Sequence, residues 1–115
     1  MAEPRIEQNY SIPITGSSPS ASSVNTIGTT AVSILSGDPS RQRVTFANPN
    51  YDSSGGVDLL VAQTSTPTFA APGGGFVIFG GALLVIEGDA AAGPWYATAR
   101  SGSGKGITVM TSMRK

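Results

Sequence analysis

The chain predicts an all-β fold: an antiparallel β-sandwich or small barrel, jelly-roll or Greek-key like, with an extended N-terminal arm. Three observations carry this. Short β-branched and apolar runs recur between clusters of Gly, Pro, Asn and Ser, at the ~8–12-residue spacing of sandwiches and barrels. Several of these runs alternate apolar and polar residues, as a half-buried strand does. No segment of helical length shows the helical period. Ala90, Ala91 and Ala92 are hemmed in by Gly88, Gly93 and Pro94, too short a stretch for a stable helix.

Residues 1–25 read as an arm with a Ser-rich linker, and residues 26–115 as one sandwich domain. In the arm, Tyr10, Ile12 and Ile14 are spaced by two, so an extended segment puts them on one face. Pro13 cannot donate a ladder hydrogen bond, which assigns this segment to an edge or to another surface. Residues 17–23 (SSPSASS) have the composition of a flexible linker. The arm either reaches a neighbouring subunit or stays with its own domain as a frayed terminus or a first strand.

Seven strands are expected after the arm. Residues 29–35 (TTAVSIL) are rich in β-branched side chains and end at a Ser-Gly-Asp-Pro turn. Residues 41–47 (RQRVTFA) put Val44 and Phe46 on one face and Arg41, Arg43 and Thr45 on the other. Residues 57–62 (VDLLVA) are apolar on both faces from Leu59 on, as in a central strand or one under an interface. A long loop, 64–75, precedes 76–79 (FVIF) and 82–87 (ALLVIE). Gly80-Gly81 between these two runs signals a tight hairpin turn. Residues 95–100 (WYATAR) place Trp95, Ala97 and Ala99 on one face, with Tyr96 turned to the surface or an interface. Residues 107–111 (ITVMT) close the body with Ile107 and Val109 inward.

Composition then excludes chemistry. The chain has no histidine and no cysteine, so the common acid/base group near neutral pH and the soft-metal and redox ligand are both missing. No histidine exists to activate any serine as a nucleophile. One Trp, three Tyr and four Phe give a thin aromatic core for 115 residues, which makes oligomerisation or docking the natural supplement. Net charge is +0 with 12% charged residues, about half the usual fraction. That balance argues against nucleic-acid phosphates as a partner and leaves little repulsion between copies. No apolar run approaches the ~18–20 residues of a membrane span. The first residues lack the charged-then-apolar order of a signal peptide, so synthesis in a cytoplasm without export is expected.

The remaining motifs carry bland readings. Ser103-Gly104-Lys105-Gly106 lacks the earlier glycine of a phosphate loop (Ala99 stands there) and joins two strands, so it reads as a hairpin tip with a solubilising lysine. Gly73-Gly74-Gly75 precedes a strand where a dinucleotide fingerprint needs a helix. Asn48, Asn50 and Asp52 alternate in one loop without the pattern of a calcium site, and suit turn hydrogen bonds. Glu87 follows an apolar strand but sits at its end before Gly88, where exposure is the default. Arg41 and Arg43 are a solvated strand face or a bidentate contact to an acidic neighbouring subunit. No catalytic residue, cofactor or metal is expected.

Residues 41–49 (RQRVTFANP), 57–63 (VDLLVAQ), 75–89 (GFVIFGGALLVIEGD), 95–102 (WYATARSG) and 107–111 together resemble small virion structural proteins of tailed bacteriophages. The resemblance covers residues 41–111. It implies a head decoration or cement protein, often a trimer, that binds the major capsid protein or other virion subunits. It equally implies a neck, tail or fibre component, for which a carbohydrate- or receptor-binding module is the rival reading. The subunit or capsid contacts expected are Ile6, Tyr10, Ile12 and Ile14 of the arm, with Arg41, Arg43 and Tyr96 of the body.

Overall fold

Strand pairing folds the chain back on itself as one long antiparallel ribbon and then rolls it up. A computed structural model describes residues 17–52, 55–67, 69 and 75–114. The strands are β1 (Ser17–Ile27), β2 (Val32–Leu35), β3 (Arg41–Ala47), β4 (Tyr51–Asp52), β5 (Gly55–Gly56), β6 (Leu59–Ala62), β7 (Gly75–Ile78), β8 (Leu83–Glu87), β9 (Trp95–Ala99) and β10 (Lys105–Arg114). One helical turn, α1 (Asp89–Ala92), precedes β9. β1 pairs with β10, β2 with β9, β3 with β8 and β6 with β7, all antiparallel. Two further pairings, β10 with β3 and β6 with β9, close the roll. The result is two four-stranded sheets, β1-β10-β3-β8 and β2-β9-β6-β7, with β4-β5 as a small separate ribbon. Counting only the eight strands of the two large sheets, the orders are 1-8-3-6 and 2-7-4-5, which is a jelly roll.

All seven expected strands form, and the period-two faces hold. Val44, Phe46, Trp95, Ala97, Ala99, Ile107 and Val109 are buried in one core between the sheets. Phe46 meets Trp95 edge to face at 5.3 Å between ring centroids, the preferred geometry for an aromatic pair. All four residues of β6 are buried, and β6 is central in its sheet, which accounts for its doubly apolar sequence.

Four expectations change. Residues 17–23 are not a linker: they lie within β1, an eleven-residue strand that pairs with β10 from Ser17 opposite Arg114 to Val24 opposite Ile107. The ladder uses backbone groups, so serines serve as well as apolar residues, and residues 20–23 are exposed. Ser20 Oγ and Thr111 Oγ1 add a cross-strand bond of 3.0 Å. The arm residues Ile6, Tyr10, Ile12 and Ile14 lie outside the described residues.

Gly80-Gly81 turns the chain, with Ala82 N–H donating to Phe79 O at 2.9 Å, but it makes no hairpin. β7 goes to one sheet and β8 to the other. Asn48 holds this corner. Its Nδ2 donates to Val57 O (2.8 Å) and Ile78 O (2.7 Å), and its backbone exchanges bonds with Ala82 and Gly81. A Cβ on Gly80 would stand 2.6 Å from Asn50 O and 2.7 Å from Gly56 Cα, so only glycine lets these backbones meet. Gly81, at φ +86, sits where other residues are strained.

Likewise, residues 103–106 are no hairpin tip: Lys105 and Gly106 open β10, and β9 and β10 belong to different sheets. The three alanines do form a helical turn, α1, held from outside and not by its own length. Ala90 O accepts from Gln63 Nε2 and Trp95 Nε1, and Ala92 O accepts from Asp38 N–H.

Candidate interaction surface

Arg41 shows why the two arginines must be separated. The β10–β3 ladder pairs Ser112 with Arg43 and Met113 with Arg41, so Gln42 is an extra residue, a bulge. The bulge shifts the alternation and turns Arg41 to the same side as Val44 and Phe46. Arg41 is 7% exposed. Its guanidinium donates to Ala91 O (2.8 Å), Gly93 O (3.1 Å) and Ser36 O (2.7 Å). A cation at the C-terminal end of α1 suits the carbonyls gathered there. Arg41 is therefore a buried clamp on α1, and the expectation that it shares an outer face with Arg43 is corrected.

Arg43 does face outward and is half-buried. Its Nε and Nη2 reach Glu87 Oε2 at 2.7 and 2.6 Å, across the β3–β8 ladder. The two side chains are 43% and 60% exposed, so the pair contributes at most about 1 kcal/mol. Tyr96 is half-buried on β9, opposite Ser33 and Ala62, on the face away from Trp95. Arg41, Arg43 and Tyr96 are thus not brought together: one is in the interior and the others lie on different sheets.

Other polar candidates are spoken for within the fold. Asn50 N–H donates to Asn48 Oδ1 at 3.0 Å, the local turn bond expected of such a loop. Beyond that, Asn50 Nδ2 donates to Gly106 O, and Gly106 N–H donates to Asn50 Oδ1, tying this loop to β10. Arg100 Nε donates to Asp58 Oδ2 at 3.1 Å, and its guanidinium lies 4.3 Å from the Phe69 ring centroid. Among the described residues no group of three or more acidic side chains converges as a metal site would require.

What sequence reasoning missed is apolar. Among the described residues seven large hydrophobic side chains are exposed, and five of them lie within residues 76–85: Phe76, Val77, Phe79, Leu83 and Val85. β7 and β8 are the last strands of their sheets and are joined by the Gly80-Gly81 turn, so these residues lie along one edge of the sandwich; Val77 faces out of one sheet, Leu83 and Val85 out of the other, and the Phe76 ring lies 6.4 Å from that of Trp95. Leu83 is 63% exposed and Val85 47%. Both point outward from their sheet, while Leu84 and Ile86 pack inward against the core. Across the same outer face runs a shallow groove of about 430 Å³, lined by Ala21, Arg43, Thr45 and Met110 among others. Thr45 pairs with Val85 and with Met110, so the margin and the groove are continuous. Uncovered apolar surface of this kind, rimmed by polar residues, is the mark of an interaction site.

Comparison with family models, with curated proteins and with solved structures finds no match to this chain. The fold is an all-β jelly-roll sandwich, and the candidate site is its exposed apolar margin.

Proposed function

We propose that this chain is a non-enzymatic structural subunit of a phage particle, a capsid decoration or cement protein. It acts by packing against copies of itself and against capsid subunits. The observation that carries this reading is the concentration of exposed apolar side chains on the β7–β8 margin of a small sandwich. Jelly rolls build viral capsid domains as well as lectins, an analogy at the level of fold alone. The arm extends the same logic. Ile6, Tyr10, Ile12 and Ile14 would bury apolar area on a neighbouring subunit, each contributing about 1.5–3 kcal/mol when well covered. Symmetric repetition then multiplies weak contacts into tight attachment.

The experiment is deletion of residues 2–16 followed by co-sedimentation with purified particles. The truncated chain keeps the circular dichroism of the full chain and no longer sediments with particles. Equal sedimentation of the truncated and full chains overturns the role of the arm. A second reading, a carbohydrate-binding tail module, draws on the well-exposed Tyr51 beside a polar concavity of about 220 Å³. Copy number separates the two: a decoration protein gives a strong band on a gel of purified virions, and a tail module a faint one.

A further inference from the structure

Each large sheet has two edges, and the four edge strands differ. β1 carries Pro19 and a bulge between Val24 and Ile27. β2 is four residues long and its ladder is irregular between Ser33 and Leu35. Both features discourage a further strand from pairing. β7 is regular but also only four residues long. β8 is a regular five-residue strand, apolar from Leu83 to Ile86, with no proline, no lysine and no bulge. It has none of the devices that keep edges from pairing, apart from Glu87 at its end.

The direction of its free backbone groups follows from the bonds it already makes. Gly88 N–H donates to Gln42 O, and Asn48 N–H donates to Ala82 O, on the β3 side. Residues 82, 84, 86 and 88 therefore turn their backbone groups toward β3. Leu83, Val85 and Glu87 turn theirs to the edge that no other strand among the described residues pairs, since backbone groups alternate along an antiparallel strand.

We infer that β8 is a two-fold dimerisation edge, pairing antiparallel with the β8 of a second copy about Leu84. In this register Leu83 of one copy lies opposite Val85 of the other, twice over by symmetry. Each such pair exchanges both of its outward backbone bonds. Leu83 and Val85 of both copies then form one apolar cluster on the outer face. Ala82 falls opposite Ile86 on the core side, and Glu87 opposite Gly81, so no charge meets a like charge. The chain's net charge of +0 leaves no general repulsion between the two copies. The alternative register about Val85 would set Glu87 against Leu83 and lose the cluster. The contact is isologous, as two-fold interfaces are. It gives a physical form to the self-association proposed above, but solution mass tests it without any particle, so the two readings fail separately.

The test is sedimentation equilibrium of the full chain at ~10–100 μM, beside Leu83→Lys, Val85→Lys and the double variant Ile12→Lys/Ile14→Lys. The full chain shows twice its 11.6 kDa mass. Leu83→Lys and Val85→Lys each weaken association at least ~30-fold, the size of a hot-spot loss, with unchanged circular dichroism at low concentration. Leu83 is already mostly solvated, so its replacement leaves the monomer fold intact, and it decides the matter if Val85→Lys unfolds. The arm double variant stays dimeric. A full chain that is monomeric throughout, a mass of three chains, or a dimer that survives Leu83→Lys overturns the inference. So does loss of the dimer in the arm variant, which would place the contact between copies in the arm.

Discussion

The corner around α1 and the margin of β7 and β8 assign polar and apolar side chains in opposite ways. At the corner, a full positive charge on Arg41 is buried and every bond it makes is to a backbone carbonyl. At the margin, Leu83, Val85 and Phe79 stand in water. A buried charge is tolerated only where the fold satisfies it, so the corner is complete within one chain. Exposed large aliphatics on a strand edge gain nothing within one chain, so the margin is where the proposed second copy would complete it. The lesson is that the places that hold this fold and the places that meet partners can be told apart by which type of group is out of its usual environment.

Substitutions sharpen or break that contrast. The largest effect is expected at Arg41. Arg41→Met keeps the stem but leaves the carbonyls of Ser36, Ala91 and Gly93 without their donor. Each carbonyl left buried and unpaired costs about 1–3 kcal/mol, so the three together should cost about 3 kcal/mol or more, read as a fall of more than ~12 °C in thermal midpoint, with the mass at low temperature unchanged. Asn48→Ala removes the donor to Val57 O and Ile78 O in a buried corner, and is expected to cost about 2–3 kcal/mol by urea denaturation. Leu83→Lys has the opposite signature, a large change in mass and little change in the stability of the monomer. The smallest effect belongs to Arg43→Ala. Its ion pair with Glu87 is exposed, so stability should move by less than ~1 kcal/mol, and less still in high salt. If Arg43→Ala proved as damaging as Arg41→Met, the contrast would collapse.

Alternation made much of the fold legible in the sequence. Val44 with Phe46, Trp95 with Ala97, and Ile107 with Val109 each declare a face within a few residues, and all six are buried. What stayed hidden depends on partners far along the chain. β1 is a strand because Ser20 lies beside Thr111, and nothing in a serine-rich stretch announces that. Gly80-Gly81 looked like a hairpin because the group that splits β7 from β8, Asn48, is some thirty residues upstream. Strict alternation gives Arg41 an outer face, and the bulge at Gln42 that reverses it is fixed by β10. For the candidate surface, polarity was the wrong guide. Residues 82–86 are apolar almost throughout, so the sequence could not say which of Leu83, Leu84, Val85 and Ile86 faces water. Only the β3 pairing divides them.

The most direct measurement is amide hydrogen exchange, residue by residue by NMR, on the full chain across a dilution series. The account predicts that the Leu83 and Val85 amides, open in the monomer, gain protection in step with the dimer fraction. The Asp38 amide, bonded to Ala92 O at the α1 corner, should show no such coupling. If the Leu83 and Val85 amides exchange equally fast at every concentration, the exposed margin is not a contact between copies of this chain.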